Sequence, residues 1–133
     1  MKLLQFAPDF GEGHLSLGFA LKGQERLLEA ERRFETVARL LPDDSRSRTS
    51  KGVLLLRRRK FKEAVTWLQE AVALKSHYGE ADDRLFLAEA YEGLGKLKRA
   101  AVEWRHITTM KPAYPSDDFP MEEAKRKLQK YRL

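Results

Sequence analysis

Two offsets superpose this chain on itself. A shift of 34 residues lays Leu17-Gly18, Leu21, Ala30, Phe34 and Pro42 on Lys51-Gly52, Leu55, Ala64, Leu68 and Ser76. A further 36 residues reaches Leu87-Ala88, Tyr91, Ala100, Trp104 and Pro112. Small and large apolar residues recurring at that period mark repeated supersecondary units, each covering the apolar face of the next. The expected molecule is a stacked array that holds another molecule, and the repeat itself does not name that other molecule.

Within each unit the apolar positions follow helical spacing. Leu17, Ala20 and Leu21 line one face, then Leu27, Ala30, Phe34, Val37 and Leu40 another, and the other two units repeat the scheme. Gly23-Gln24-Glu25, Arg58-Arg59-Lys60 and Gly93-Leu94-Gly95 separate the two stretches as turns, so each unit reads helix, turn, helix. Gly18, Gly52 and Ala88, facing Ala30, Ala64 and Ala100, let paired helix axes approach closely. Phe34, Leu68 and Trp104 fill the volume beside them. Pro42 and Pro112 stop the second helices, because proline has no amide donor and clashes with the preceding turn. Ser76 takes that place in the middle unit, which also carries a two-residue extension, Gly79-Glu80, so a looser turn is expected there.

These columns resemble the tetratricopeptide repeat, a 34-residue helix–turn–helix unit. The resemblance implies an all-α fold, a right-handed α-solenoid of antiparallel helix hairpins. The units would span residues 11–44, 45–80 and 81–114, with a linker and a C-terminal capping helix over 115–133. That last helix places Met121, Ala124, Leu128 and Tyr131 on one stripe, as a solenoid needs in order to cover its last apolar face. Residues 1–10 form a stub: Leu3-Leu4-Gln5-Phe6-Ala7-Pro8-Asp9 matches Val37-Ala38-Arg39-Leu40-Leu41-Pro42-Asp43. It is either a vestigial half-unit or the end of a preceding repeat in a longer array. The middle unit departs most from the pattern. Lys51 stands where leucine is expected, and the polar run Ser45-Arg46-Ser47-Arg48-Thr49-Ser50 predicts a first helix whose leading half frays.

Composition excludes several classes of function. The 133 residues contain no cysteine, so disulfides, thiol catalysis and cysteine metal sites are excluded. No apolar run approaches the roughly 20 residues needed to cross a membrane. No secretory signal is visible, and a cytoplasmic location is expected. His14, His77 and His106 fall in three different columns, so no catalytic or metal-binding convergence is expected, and no cofactor. The pairs Asp43-Asp44, Asp82-Asp83 and Asp117-Asp118 lie near helix starts, where carboxylates cap free amides and oppose the dipole. We therefore expect a non-enzyme.

Charge is uneven. Residues 45–78 carry 9 basic and 2 acidic side chains, more than the net +6 of the whole chain. Arg57, Arg58, Lys60 and Lys96 place a basic edge at the hairpin turns, opposite an edge that bears the three Asp pairs.

In the family the first helices line a concave groove that holds peptides. Matching columns would place Leu15, Phe19 and Lys22, then Arg46, Thr49, Val53 and Leu56, then Leu85 and Glu89 on it, together with Glu12, Asp82 and Glu92. The subclass that clamps a C-terminal carboxylate needs Lys, Asn and Arg in columns that here hold Leu15, Phe19, Ser50, Asp82 and Phe86, so no such clamp is expected. What remains is an apolar trough, with Arg46 and Arg57 available to acidic residues of a partner. The reading is a protein-interaction scaffold binding an apolar or amphipathic protein or peptide segment, with a second copy of the chain as a further candidate. The alternative is nucleic acid or an acidic partner on the basic edge. It is the weaker one, because single-strand binders interleave stacking aromatics and Phe61 alone lies among these basic residues, in a core column.

Overall fold

The computed structural model of this chain describes residues 10–74, 79–112 and 114–133. Seven α-helices and no strand occur among them: α1 (Gly11–Gly23), α2 (Leu27–Leu40), α3 (Arg46–Arg57), α4 (Phe61–Ala73), α5 (Glu80–Gly93), α6 (Leu97–Thr109) and α7 (Asp118–Lys130). Helices α1 and α2, α3 and α4, and α5 and α6 form hairpins that stack in sequence, and α7 packs on α6. The fold is an all-α solenoid. Residues 1–9 of the N-terminal stub, Ser76 and His77 lie outside the described residues.

One turn geometry joins the helices of all three hairpins. Glu25, Arg59 and Gly95 adopt left-handed φ of 61°, 58° and 75°. The next amide donates back five residues, Arg26 to Leu21, Lys60 to Leu55 and Lys96 to Tyr91, at 2.8–2.9 Å. These are Schellman turns, which satisfy the last free carbonyls of a helix. Only the third unit puts glycine at the left-handed position.

The small-against-large columns meet as the repeat requires. A Cβ on Gly18 would lie 2.7 Å from Phe34, and one on Gly52 would lie 2.6 Å from Leu68. Both contacts are closer than carbon atoms tolerate, so these glycines set the approach of each pair. Ala88 and Trp104, both buried, serve the third hairpin.

The apolar interior divides in two. Leu15, Leu21, Ala30, Phe34, Val37 and Leu54 form one cluster, and the second and third hairpins share a larger one that extends to Ala124 of α7. The joint between the first two hairpins is strongly polar. Lys51 Nζ lies 2.9 Å from Glu31 and 3.0 Å from Glu35, while Arg58 Nη1 reaches both Glu31 oxygens at 2.8 Å. Glu31, Ser47, Ser50 and Lys51 are buried there. The frayed leading half expected of α3 is therefore not found, and the helix runs from Arg46. Lys51 and Arg46 find carboxylates on the first hairpin, Arg48 pairs with Glu70 of α4 at 3.1 Å and Thr49 with Asp83 of α5, while the buried Ser47 hydroxyl has no hydrogen-bond partner among the described residues.

At the other end Tyr131 stacks on Trp104 with ring centroids 5.9 Å apart. Lys127 pairs with Glu92 at 2.8 Å. Burial alone would raise the Glu92 carboxyl, but hydrogen bonds from Lys127 and Tyr131 outweigh it and hold the group below its ordinary value.

Candidate functional site

Because the first helix of each hairpin follows the last at one repeat spacing, α3 and α5 run side by side on one face. Their N-terminal ends, with the loop joining α2 to α3, enclose a cleft of about 1110 Å³. Phe19 reaches it from α1, Leu40 and Leu41 from the end of α2, and Phe86 from α5. Phe19 sets its ring edge against buried Phe34, at a centroid distance of 5.5 Å, yet stays 44% exposed. The apolar wall is therefore wet.

Acidic groups face it. Asp43 and Asp44 come from the α2–α3 loop and Asp82 and Asp83 from the first turn of α5. The pairs expected to act as helix caps do so unequally. Asp44 accepts the Arg46 amide at 2.9 Å and Asp117 that of Tyr114 at 3.0 Å. At the start of α5 neither Asp82 nor Asp83 caps the helix, and no N-cap side chain closes α3 or α7 either. Asp83 instead accepts the Thr49 hydroxyl at 2.6 Å and is only 4% exposed. Burial pushes its carboxyl up to about 6, against the Thr49 bond and with help from Asp82 and Glu80. Burial, then the Asp117 anion, also raises Asp82.

Arg46 is the single cation among the described lining residues. Its Nε lies 3.0 Å from both Asp44 oxygens, and its Nη2 lies 2.6 Å from Glu12. These hydrogen bonds, Asp44 first, raise its pKa further, and Arg46 in turn lowers that of Asp44. An arginine expected to meet a partner's carboxylates is thus held by the protein's own.

Of the nine residues expected on the groove, Phe19, Arg46 and Thr49 line this cleft. Leu15 is 2% and Leu56 7% exposed, so both are core. Lys22, Val53 and Leu85 are half-buried, with Leu85 packed on the larger cluster. Glu89 is exposed on α5, its carboxyl raised by partial burial and by Glu92. At the hairpin turns Arg57, Arg58, Lys60 and Lys96 are all exposed, but Arg58 is committed to Glu31. Among the described residues no three His, Cys, Asp or Glu side chains gather as a metal site, and no helix is long and apolar enough to cross a membrane.

Sequence reasoning expected the three Asp pairs on one edge, but missed Asp83 as a groove residue and the meeting of Asp43-Asp44 with Asp82-Asp83 at one cleft. Each pair precedes or opens a helix along that edge, and that shared position was the available signal.

A family model for the tetratricopeptide repeat matches residues 15–78. Comparison with curated protein sequences gives no match. Among solved structures, the N-terminal domain of stress-induced protein-1 from C. elegans superposes with a TM-score of 0.74 at 18% identity, covering 90% of this chain and 94% of that one. The type III secretion translocator chaperone SycD of Yersinia enterocolitica gives 0.73 at 17% identity, covering 93% and 94%. The Arabidopsis OM64 TPR domain gives 0.70 at 16%, covering 87% and 94%. At such identities the likeness is one of fold.

Proposed function

The chain is a tetratricopeptide-repeat protein, and from that premise we propose that it is a non-catalytic protein-interaction scaffold holding an apolar or amphipathic peptide segment against the first helices of its hairpins. The observation that carries the reading is the cleft, where exposed Phe19 stands with Phe86 and the end of α2 around about 1110 Å³ of open space. Concave sites with an apolar lining and a few placed polar groups are where ligands bind. An aromatic side chain left half in water beside one is a natural anchor point for a partner.

Phe19 is also the residue through which the reading is best tested. Peptides selected on the full chain from a random display library are expected to lose at least about tenfold in affinity for Phe19→Glu, as for a hot-spot aromatic. The helical circular dichroism should persist, since the ring is half-exposed. Leu56→Glu, by contrast, is expected to unfold the second hairpin, because that side chain is buried. Unchanged affinity for Phe19→Glu overturns the reading.

No observation favours the basic edge. Arg58 is engaged by Glu31, and Phe61 packs against the larger core cluster instead of standing free to stack on a base.

A further inference from the structure

Among the described residues two carboxylates are equally buried, and cations reach only one of them. Glu31 and Asp83 are each 4% exposed. Glu31 receives Lys51 and Arg58 at 2.8–2.9 Å. Asp83 receives one neutral hydroxyl, from Thr49. A buried carboxylate without a cation is costly, so folded proteins seldom leave one with so little support. Asp83 differs from Glu31 in lining a cleft.

The charges around that cleft do not cancel. Arg46 is taken up by Asp44 and Glu12. Asp82 and Asp43 have no ion pair or side-chain hydrogen bond among the described residues, and both line the cleft. Three carboxylates therefore face an open, partly apolar space without a counter-charge. An acidic segment entering it would meet like charges, and a neutral one would bury the carboxylates further without replacing their water.

We propose that the occupant of the cleft is a basic peptide segment, its Lys or Arg side chain set against the Asp82–Asp83 pair and its flanking apolar side chains resting on Phe19 and Phe86. This rests on the groove reading above and adds the sign of the ligand. Apolar contacts supply the area, and the carboxylates supply the selection. A charge-assisted hydrogen bond to a carboxylate already withdrawn from water is among the stronger polar contacts available. Burial and neighbouring carboxylates raise both carboxyls, so an approaching cation would relieve a cost that the fold itself leaves standing.

Three blocked peptides with one shared Leu/Phe/Ala frame and a single central Lys, Gln or Glu test this on the full chain by fluorescence anisotropy. The Lys peptide is expected to bind at least about tenfold tighter than the Gln peptide, with the Glu peptide weakest. Asp83→Asn and Asp82→Asn should bring Lys down to Gln. Asp83→Asn should also raise Tm, a gain that damage to the fold would not give. Equal binding of the three peptides, all weakened by Phe19→Glu, overturns the basic occupant and leaves the groove standing. Preference for the Glu peptide overturns it as well. Absence of any binding that depends on Phe19 overturns both.

Discussion

Asp83 carries the clearest conflict between stability and function in this molecule. Its carboxyl lies near 3.8 in an unfolded chain and is pushed up to about 6 in the fold. The folded state therefore binds the proton more tightly, and stability falls as pH rises from about 4 to 6. Above pH 6 the ionised group costs on the order of 2–3 kcal/mol. Asp83→Asn keeps an acceptor for Thr49 and removes the charge. It is expected to stabilise the chain at pH 7 by roughly that amount and to be near neutral below pH 4, read by urea denaturation at the two pH values. Equal effects at both would mean that the carboxylate is already compensated. Asp82 was legible in the sequence as a groove column, whereas Asp83 was not. Its neighbour's column drew it into a helix-capping role, and only the approach of Thr49 from α3 shows the side chain turned inward.

Helices α3 and α4 show how far a repeat constrains an element and where it stops. Helix positions and turns followed from periodicity, because each turn places its left-handed residue at the same step of the repeat. The left-handed region costs a non-glycine residue roughly 1–2 kcal/mol. Arg59→Gly is therefore expected to gain up to about 1 kcal/mol, measured by thermal melting; a loss would show that the arginine stack on Phe61, 5.2 Å from its centroid, is worth more than the strain. The order of the leading half of α3 was not legible. Lys51 breaks the leucine column, and its partners Glu31 and Glu35 lie on another element, a pairing that no local pattern encodes. Arg58 still holds Glu31 when Lys51 is removed, so Lys51→Met should cost only about 1–2 kcal/mol. Lys51→Met together with Arg58→Met leaves Glu31 buried without a cation and should cost more than the two single changes combined. Two costs that simply add would deny the coupling.

Across the whole molecule the two kinds of contact divide the work. Apolar columns join the second and third hairpins and α7 into one cluster, while the first hairpin meets the second through ions and the buried Leu54 of α3. The cleft lies beside this polar joint and draws its walls from both sides, Phe19 and Leu40 from one, Thr49 and Phe86 from the other. A segment bound there would touch the first hairpin and its neighbours together. The solenoid was legible at this scale because its periodicity is global. The site was legible only in part, through Phe19, Arg46, Thr49 and Asp82, since family columns assign the groove by register alone. Register placed Leu15 and Leu56 on the surface, yet neighbouring helices cover them. Hydrogen exchange of the full chain, with and without a peptide selected from a random display library, tests the central claim most directly. Slowing over residues 40–50 and 79–86, together with residues around Phe19, is the predicted result. Slowing confined to residues 57–62 at the basic turn, with the cleft unchanged, would contradict it.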